Sequence, residues 1–162
     1  MPEEQVRLMP PVQIDSLQAL REFVGRELPP TEWFTVTQER IQQFAEATED
    51  RQWIHLDAER ARKESPYGTT IAHGFLTLSL ISHLMKQAME IRTGVRLAVN
   101  YGSNRVRFPA PVKVNARIRA RFTLLTLKEL PDALEAVFGA SIESEGTDKP
   151  CCVAEWIVRY YH

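Results

Sequence analysis

The stretch that decides the fold runs from Phe44 to Ser82 and reads FAEATEDRQWIHLDAERARKESPYGTTIAHGFLTLSLIS. It carries an acid and a histidine five positions apart, Asp50 and His55. It closes with Ala72-His73-Gly74 and then a long apolar run, which is typical of a buried helix. An acid, an imidazole and a glycine at the start of a buried helix are the parts of a site that handles water. The rest of the chain is expected to be the scaffold that holds them.

Apolar residues at helical spacing predict where the helices lie. Shorter helices are expected from Ser16 to about Gly25, from the cap Thr37 to about Thr48, and over residues 58–64 behind the cap Asp57. A short strand is expected at residues 32–37, and a loop or tight turn from Asp50 to Leu56. The main helix is predicted to run unbroken from Gly74 to Met89, and its nearly all-round apolar surface predicts burial.

Alternating apolar and polar residues predict strands in the second half of the chain. They are expected at residues 95–108, from Val112 to Phe122, at 134–142 and at 153–161. Short connections between successive strands indicate an antiparallel sheet. A buried helix followed by such strands predicts an α+β fold with the sheet wrapped around the helix. We expect one domain over residues 1–162, with a loose arm at 1–13.

Composition excludes several classes of function. The formal net charge of the 162 residues is −1, so we expect neither nucleic acid nor a membrane as a partner. No secretory signal is expected in the first thirty residues. The two cysteines, Cys151 and Cys152, are adjacent, which fits neither a disulfide framework nor a metal-ligand spacing. The sequence therefore predicts a cytoplasmic protein that uses no metal and no cofactor.

The acid–imidazole pair suits the addition of water to an activated double bond. That reaction needs an oriented water, a base and an acid, which a carboxylate and an imidazole can provide. If the substrate is a thioester, backbone N–H groups at the start of the buried helix can stabilise charge on its carbonyl oxygen. Glycine at position 74 would let the acyl group approach the backbone closely. Taken alone, an Asp-x4-His spacing also arises by chance in loops and caps.

Several elements in the right order resemble the MaoC-like dehydratases and their (R)-specific enoyl-CoA hydratases. FAEATEDRQWIH followed by IAHGFLTLSLIS carries the similarity, and VNYGSNRVRFPAPV at residues 99–112 is similar to the nodulation protein N-like branch. The family's motif is approximately Asp-x-Asn-Pro-Ile-His. In this chain Asp50 and His55 match the first and last residues of the motif. Gln52-Trp53 replaces Asn-Pro, a difference that would change the pocket wall.

The resemblance implies a hot-dog fold, in which the antiparallel sheet wraps the helix that begins at Gly74. It implies a homodimer and an acyl thioester substrate, carried by coenzyme A or by acyl carrier protein. The activity implied is (R)-specific hydration of trans-2-enoyl thioesters and the reverse dehydration. By the same analogy Asp50 and His55 are catalytic and hold the water, the Gly74 N–H binds the thioester oxygen, and Ser82 supports substrate binding. Either member of the pair could be the formal base.

Six basic side chains lie close together in the sequence, at Arg105, Arg107, Lys113, Arg117, Arg119 and Arg121. A solvated strand face is the ordinary reading of such a run. Binding of coenzyme A phosphates is the functional alternative, because guanidinium groups suit phosphate. RNA binding is rejected, since no exposed aromatic residues alternate with the arginines.

Two other functions compete with hydration on the same fold. One is thioester hydrolysis. Hot-dog thioesterases carry a catalytic acid on or just before the central helix, whereas the first acid on the helix from Gly74 is Glu90, at its far end. A non-catalytic acyl-thioester-binding protein is the other alternative. The presence of both Asp50 and His55 favours retained chemistry.

Overall fold

A computed structural model describes residues 9–162 of the chain. Its strands, numbered in chain order, are β1 (Val12–Ile14), β2 (Phe34–Thr35), β3 (Met89–Ile91), β4 (Leu97–Arg107), β5 (Arg117–Glu129), β6 (Ala133–Ser144) and β7 (Cys152–Tyr161). Its helices are α1 (Gln38–Thr48), α2 (Trp53–Leu56), α3 (Ala58–Glu64), α4 (Gly74–Ser79) and α5 (Ile81–Ala88). A 3-10 helix spans Gln18–Phe23 where an α-helix was expected.

Five strands form one antiparallel sheet in the order β2-β5-β6-β7-β4. Every second residue of β6 and β7 is buried, so one face of the sheet covers the core. Helices α4 and α5 pack on this face, among core residues such as Leu84, Phe122 and Phe138. The predicted α+β hot-dog arrangement, a curled antiparallel sheet around a central helix, is confirmed.

A small second sheet was not expected from the sequence. Strand β1 pairs in parallel with β3, with Val12 opposite Met89 and Ile14 opposite Ile91. The loose arm was predicted for residues 1–13, and most of it lies outside the described residues. Its last two residues, however, belong to β1, because Ile14 is buried in the core and anchors this segment.

The central helix differs from the unbroken helix that the sequence predicted. It divides at Leu80, whose N–H donates to the carbonyls of both Leu76 and Thr77. The Ser79 hydroxyl donates to the Phe75 carbonyl at 2.7 Å. A serine that bonds the preceding turn in this way often bends a helix. The helix is also less buried than expected, since Phe75 is 68% exposed.

The strand expected from Val112 begins later, at Arg117. Asn115 has a φ of 63°, a left-handed conformation that ends an extended segment and that asparagine tolerates. Residues 112–114 form hydrogen bonds with residues 70–72. The Ala72 N–H donates to the Val112 carbonyl, and the Val114 N–H donates to the Thr70 carbonyl. This segment therefore braces the chain just ahead of Gly74.

The two predicted helix caps are confirmed, whereas the strand expected at residues 32–37 is reduced to Phe34–Thr35. Thr37 caps α1 by accepting from the Arg40 N–H, and Asp57 caps α3 by accepting from the Arg60 N–H. The loop expected from Asp50 to Leu56 contains α2, a single helical turn that depends on tertiary contacts. No helix in residues 9–162 combines the length and apolar character that crossing a membrane requires.

Candidate active site

His55 is presented from α2 with one ring nitrogen already bound. The side chain is 6% exposed, and its Nδ1 lies 2.7 Å from the backbone oxygen of Ile71. A carbonyl oxygen only accepts, so Nδ1 carries the hydrogen and donates it. In the neutral ring Nε2 then holds a free lone pair, which is the form that a general base requires.

A small polar network fixes the backbone of α2. The side chain of Gln38 donates to the His55 carbonyl at 2.8 Å and accepts from the Thr70 hydroxyl at 2.6 Å. The Ile71 N–H donates to the Ile54 carbonyl at 3.1 Å. These contacts tie α2 to the start of α1 and to the segment before α4. Sequence reasoning missed Gln38 and Thr70, because a glutamine one residue after a helix cap carries no distinguishing signal.

Asp50 lies just beyond the end of α1 and is exposed. Glu49 caps α1 in the left-handed conformation, with φ 62°, and so turns the chain toward α2. The backbone oxygen of Asp50 lies 2.9 Å from Nε2 of His73, which therefore donates to it. This contact joins two segments that are 23 residues apart.

Asp50, His55 and His73 come together in space. A ligating atom from each of the three lies within 4.8 Å of the others. The His55 and His73 rings stack with centroids 3.7 Å apart and an interplanar angle of 23°. A single water can bridge a carboxylate and an imidazole at this separation. Among residues 9–162, these three side chains are the group that could hold a metal ion. The expectation from the sequence that the protein uses no metal stays a prediction.

The surroundings of His55 favour its neutral form. Burial, the largest influence, lowers the pKa of His55 from its usual 6.5, and the nearby His73 lowers it further. The hydrogen bond to the Ile71 oxygen and the Asp50 carboxylate act in the opposite direction without cancelling the effect. The imidazole is therefore unprotonated near neutral pH and available to accept a proton.

Gly74 begins α4 directly after His73, so the predicted helix start is next to the pair. A Cβ at position 74 would lie 2.7 Å from Cδ2 of the Phe108 ring and 2.9 Å from two other ring atoms. The space at this glycine is thus occupied by Phe108, whereas the sequence had suggested an approaching acyl group. A pocket of ≈ 310 Å³ adjoins the glycine and is lined also by Tyr67, Thr77 and the segment 108–112.

Ser82 is not part of this cluster. It lies on α5, about 12 Å along the helical axis from Gly74 at 1.5 Å per residue. Its hydroxyl accepts from the Asn100 side chain at 3.2 Å, and Asn100 accepts from the Trp156 indole N–H at 3.2 Å. Ser82 lines a separate apolar pocket of ≈ 380 Å³ with Met85, Met89 and Val158.

The basic run divides into two groups. Arg117, Arg119 and Arg121 form salt bridges with Glu145, Glu143 and Glu27. These three arginines belong to a paired strand surface, as the ordinary reading of such a run expects. Arg105, Arg107 and Lys113 form no salt bridge within residues 9–162, so they are the members of the run that could still meet a phosphate.

Comparisons with known proteins identify the family to which this chain is similar. The MaoC like domain family matches residues 20–140. The chain is 48% identical over 147 residues to 3-hydroxyacyl-thioester dehydratase Z of Mycobacterium tuberculosis, covering 90% of this chain and 96% of that protein. It is 43% identical over 143 residues to nodulation protein N of Rhizobium leguminosarum bv. viciae, covering 88% of this chain and 89% of the relative.

A solved structure has the same architecture. An R-hydratase from Pseudomonas aeruginosa superimposes with a TM-score of 0.68, at 22% identity, over 86% of this chain and 82% of that chain. At this level of identity the likeness concerns the fold.

Proposed function

The chain belongs to the MaoC-like domain family, and on that premise we propose that it is an enzyme that hydrates trans-2-enoyl thioesters to (R)-3-hydroxyacyl thioesters and dehydrates them in reverse. The observation that carries the proposal is the state of His55. Its Nδ1–H is committed to the Ile71 oxygen, which leaves the Nε2 lone pair free, and a carboxylate oxygen of Asp50 lies within 4.8 Å of a ring nitrogen of His55. Hydration requires an oriented water, a base that takes its proton and an acid that delivers a proton to C2.

His55 is the base in this proposal. As the water oxygen bonds to C3 of the enoyl group, Nε2 of His55 takes one water proton. The C2–C3 double bond gives its electron pair to an enolate on the thioester. The imidazolium then returns the proton to C2, so that the elements of water are added and His55 is neutral again. Asp50 orients the water and balances the charge on His55.

Gly74 supplies the proposed donor for the enolate oxygen. The first N–H groups of a helix have no intrahelical acceptor, and the N–H of Gly74 is one of them. Ser82 is proposed to act on the substrate from its own pocket. The pocket's apolar wall of Met85, Met89 and Val158 suits an acyl chain. The three unpaired basic residues, Arg105, Arg107 and Lys113, are candidates for the carrier's phosphate.

A homodimer is the proposed assembly, formed along β4. This strand is at the edge of the sheet, and nearly all of its residues are exposed. Leu97, Val99 and Tyr101 are 51%, 39% and 56% exposed. An edge of this length and apolar character invites pairing with a second copy. The proposal keeps one domain over residues 1–162 and a cytoplasmic location, which the buried free thiols of Cys151 and Cys152 support.

The test is to add purified protein to crotonyl-CoA and to longer trans-2-enoyl-CoAs and follow the loss of enoyl absorbance. Chiral analysis of the product and a free-thiol assay run on the same samples. We expect hydration to the (R)-alcohol without thiol release. Thiol release without hydration would point to a thioesterase, and binding without reaction to a non-catalytic acyl-binding protein. The S-alcohol as product would contradict the proposed stereochemistry.

A further inference from the structure

His73 makes two contacts that each fix one member of the catalytic pair. Its Nε2–H donates to the backbone oxygen of Asp50 at 2.9 Å. The face of its ring stacks on His55 at 3.7 Å, and Phe44 packs against it at a centroid distance of 4.9 Å. The ring therefore contacts both His55 and Phe44, and only 3% of the residue is exposed.

The other nitrogen of His73 takes no part in holding the ring. Nδ1 is buried and has no hydrogen-bond partner among the described residues. A buried ring nitrogen without a partner costs less as an unprotonated acceptor than as an N–H that lacks an acceptor. Because Nε2 must donate to the Asp50 carbonyl, the neutral ring with hydrogen on Nε2 meets both conditions. The orientation of the ring is therefore set by Asp50, His55 and Phe44.

We propose that His73 is a positioning residue that holds Asp50 and His55 at the spacing needed to bind one water. It acts through the backbone of Asp50 and the face of His55 and does not itself touch the substrate. Residue 73 precedes Gly74, so the same side chain also ties the pair to the start of α4. This inference rests on the proposed hydratase function, and its test includes a measurement that needs no turnover.

Two substitutions separate the contacts of His73. His73→Phe keeps a flat ring against His55 but removes the N–H that reaches the Asp50 oxygen. His73→Gln keeps an N–H of similar reach but removes the ring. His83→Phe is the matched control, because His83 is an exposed histidine on α5 that contacts Phe34. Circular dichroism and thermal melting establish that each variant is folded.

The kinetic expectation is a loss of kcat with little change in KM. Misplacing a catalytic group by about 1 Å can cost roughly 100-fold in rate, so we expect His73→Phe to lower kcat roughly 10- to 100-fold. His73→Gln should recover part of that loss, and His83→Phe should match the wild type. A His73→Phe variant with wild-type kcat, or a His73→Gln variant no better than His73→Phe, would overturn the proposal.

Nitrogen NMR of the histidine rings decides the question independently of activity. In the wild type we expect hydrogen on Nε2 of His73 and on Nδ1 of His55. The opposite tautomer of His73 would contradict the inference even if the wild type hydrates no substrate tested.

Discussion

At the scale of single residues, the site depends on a tautomer. The Ile71 carbonyl, which is a backbone group, decides which nitrogen of His55 can accept a proton. The position of Asp50 is likewise fixed through its backbone oxygen, while the residue itself stays exposed. The chemistry of the pair is therefore controlled by main-chain geometry around it.

Removing the Asp50 charge should slow hydration without unfolding the protein. We expect Asp50→Asn to lower kcat by roughly 10²- to 10⁴-fold, because the amide orients water poorly and leaves the His55 imidazolium without its counter-charge. Steady-state kinetics on an enoyl-CoA measures this. Glu49→Gln is the control, since it removes an exposed negative charge one residue away. Equal losses of kcat for the two substitutions would show that Asp50 contributes only negative charge near the site and does not orient the water.

The pH dependence should follow His55. Protonation of Nε2 abolishes its lone pair, so kcat/KM should fall on the acid side with a midpoint below 6.5, the direction in which burial lowers the pKa of His55. A midpoint at or above 6.5 would contradict the role assigned to His55.

The same shift affects stability. At pH values between the folded pKa of His55 and 6.5, the unfolded chain binds more protons than the folded chain. The contribution of His55 to the free energy of unfolding is therefore complete above 6.5 and falls as the pH drops toward the folded pKa. Denaturant titrations at several pH values measure the slope, which His55→Gln should reduce.

At the scale of secondary-structure elements, the start of α4 is fitted to Phe108. Alanine favours a helix over glycine by at most about 1 kcal/mol. Crowding in a packed site costs about 1–3 kcal/mol. Because a Cβ at position 74 would overlap the Phe108 ring, we expect Gly74→Ala to be destabilising overall.

A double-mutant cycle tests this fit. In a Phe108→Ala background the overlap disappears, so Gly74→Ala should become neutral or stabilising. Denaturant unfolding of the four proteins gives the coupling free energy. The same sign and size of effect in both backgrounds would mean that Phe108 does not decide the glycine at position 74.

Elements with strong periodicity were predictable from the sequence, and those that depend on distant partners were not. The α1 and α3 caps, β6, β7 and the antiparallel sheet follow from local patterns. The break at Leu80 and the late start of β5 come from hydrogen bonds that a periodicity argument does not see. The Asp50–His55 pair was recognisable from the sequence, but the contact of His73 with it was not, because its partner, the Asp50 carbonyl, is 23 residues away.

At the scale of the whole molecule, β4 is an exposed edge of the sheet and the surface along which we propose the dimer. We expect the wild type to be a dimer and Val99→Asp to shift it toward monomer, because the two-fold axis of an edge-to-edge dimer would bring the new charges near each other. Leu125→Asp is the control: Leu125 lies on β5 and is 41% exposed, against 39% for Val99. Size-exclusion chromatography with light scattering gives the mass. Dissociation by Leu125→Asp, with Val99→Asp still dimeric, would assign the interface to a different face.

His55 is proposed as the base that activates water for an enoyl thioester. The most direct test is the rate of enoyl-CoA hydration by His55→Gln beside the wild type, with His83→Gln as a control for the substitution. A general base contributes roughly 10²- to 10⁴-fold, so we expect a loss of that size in kcat for His55→Gln and none for His83→Gln. A folded His55→Gln enzyme that hydrates its substrate at the wild-type rate would show that His55 is not the base.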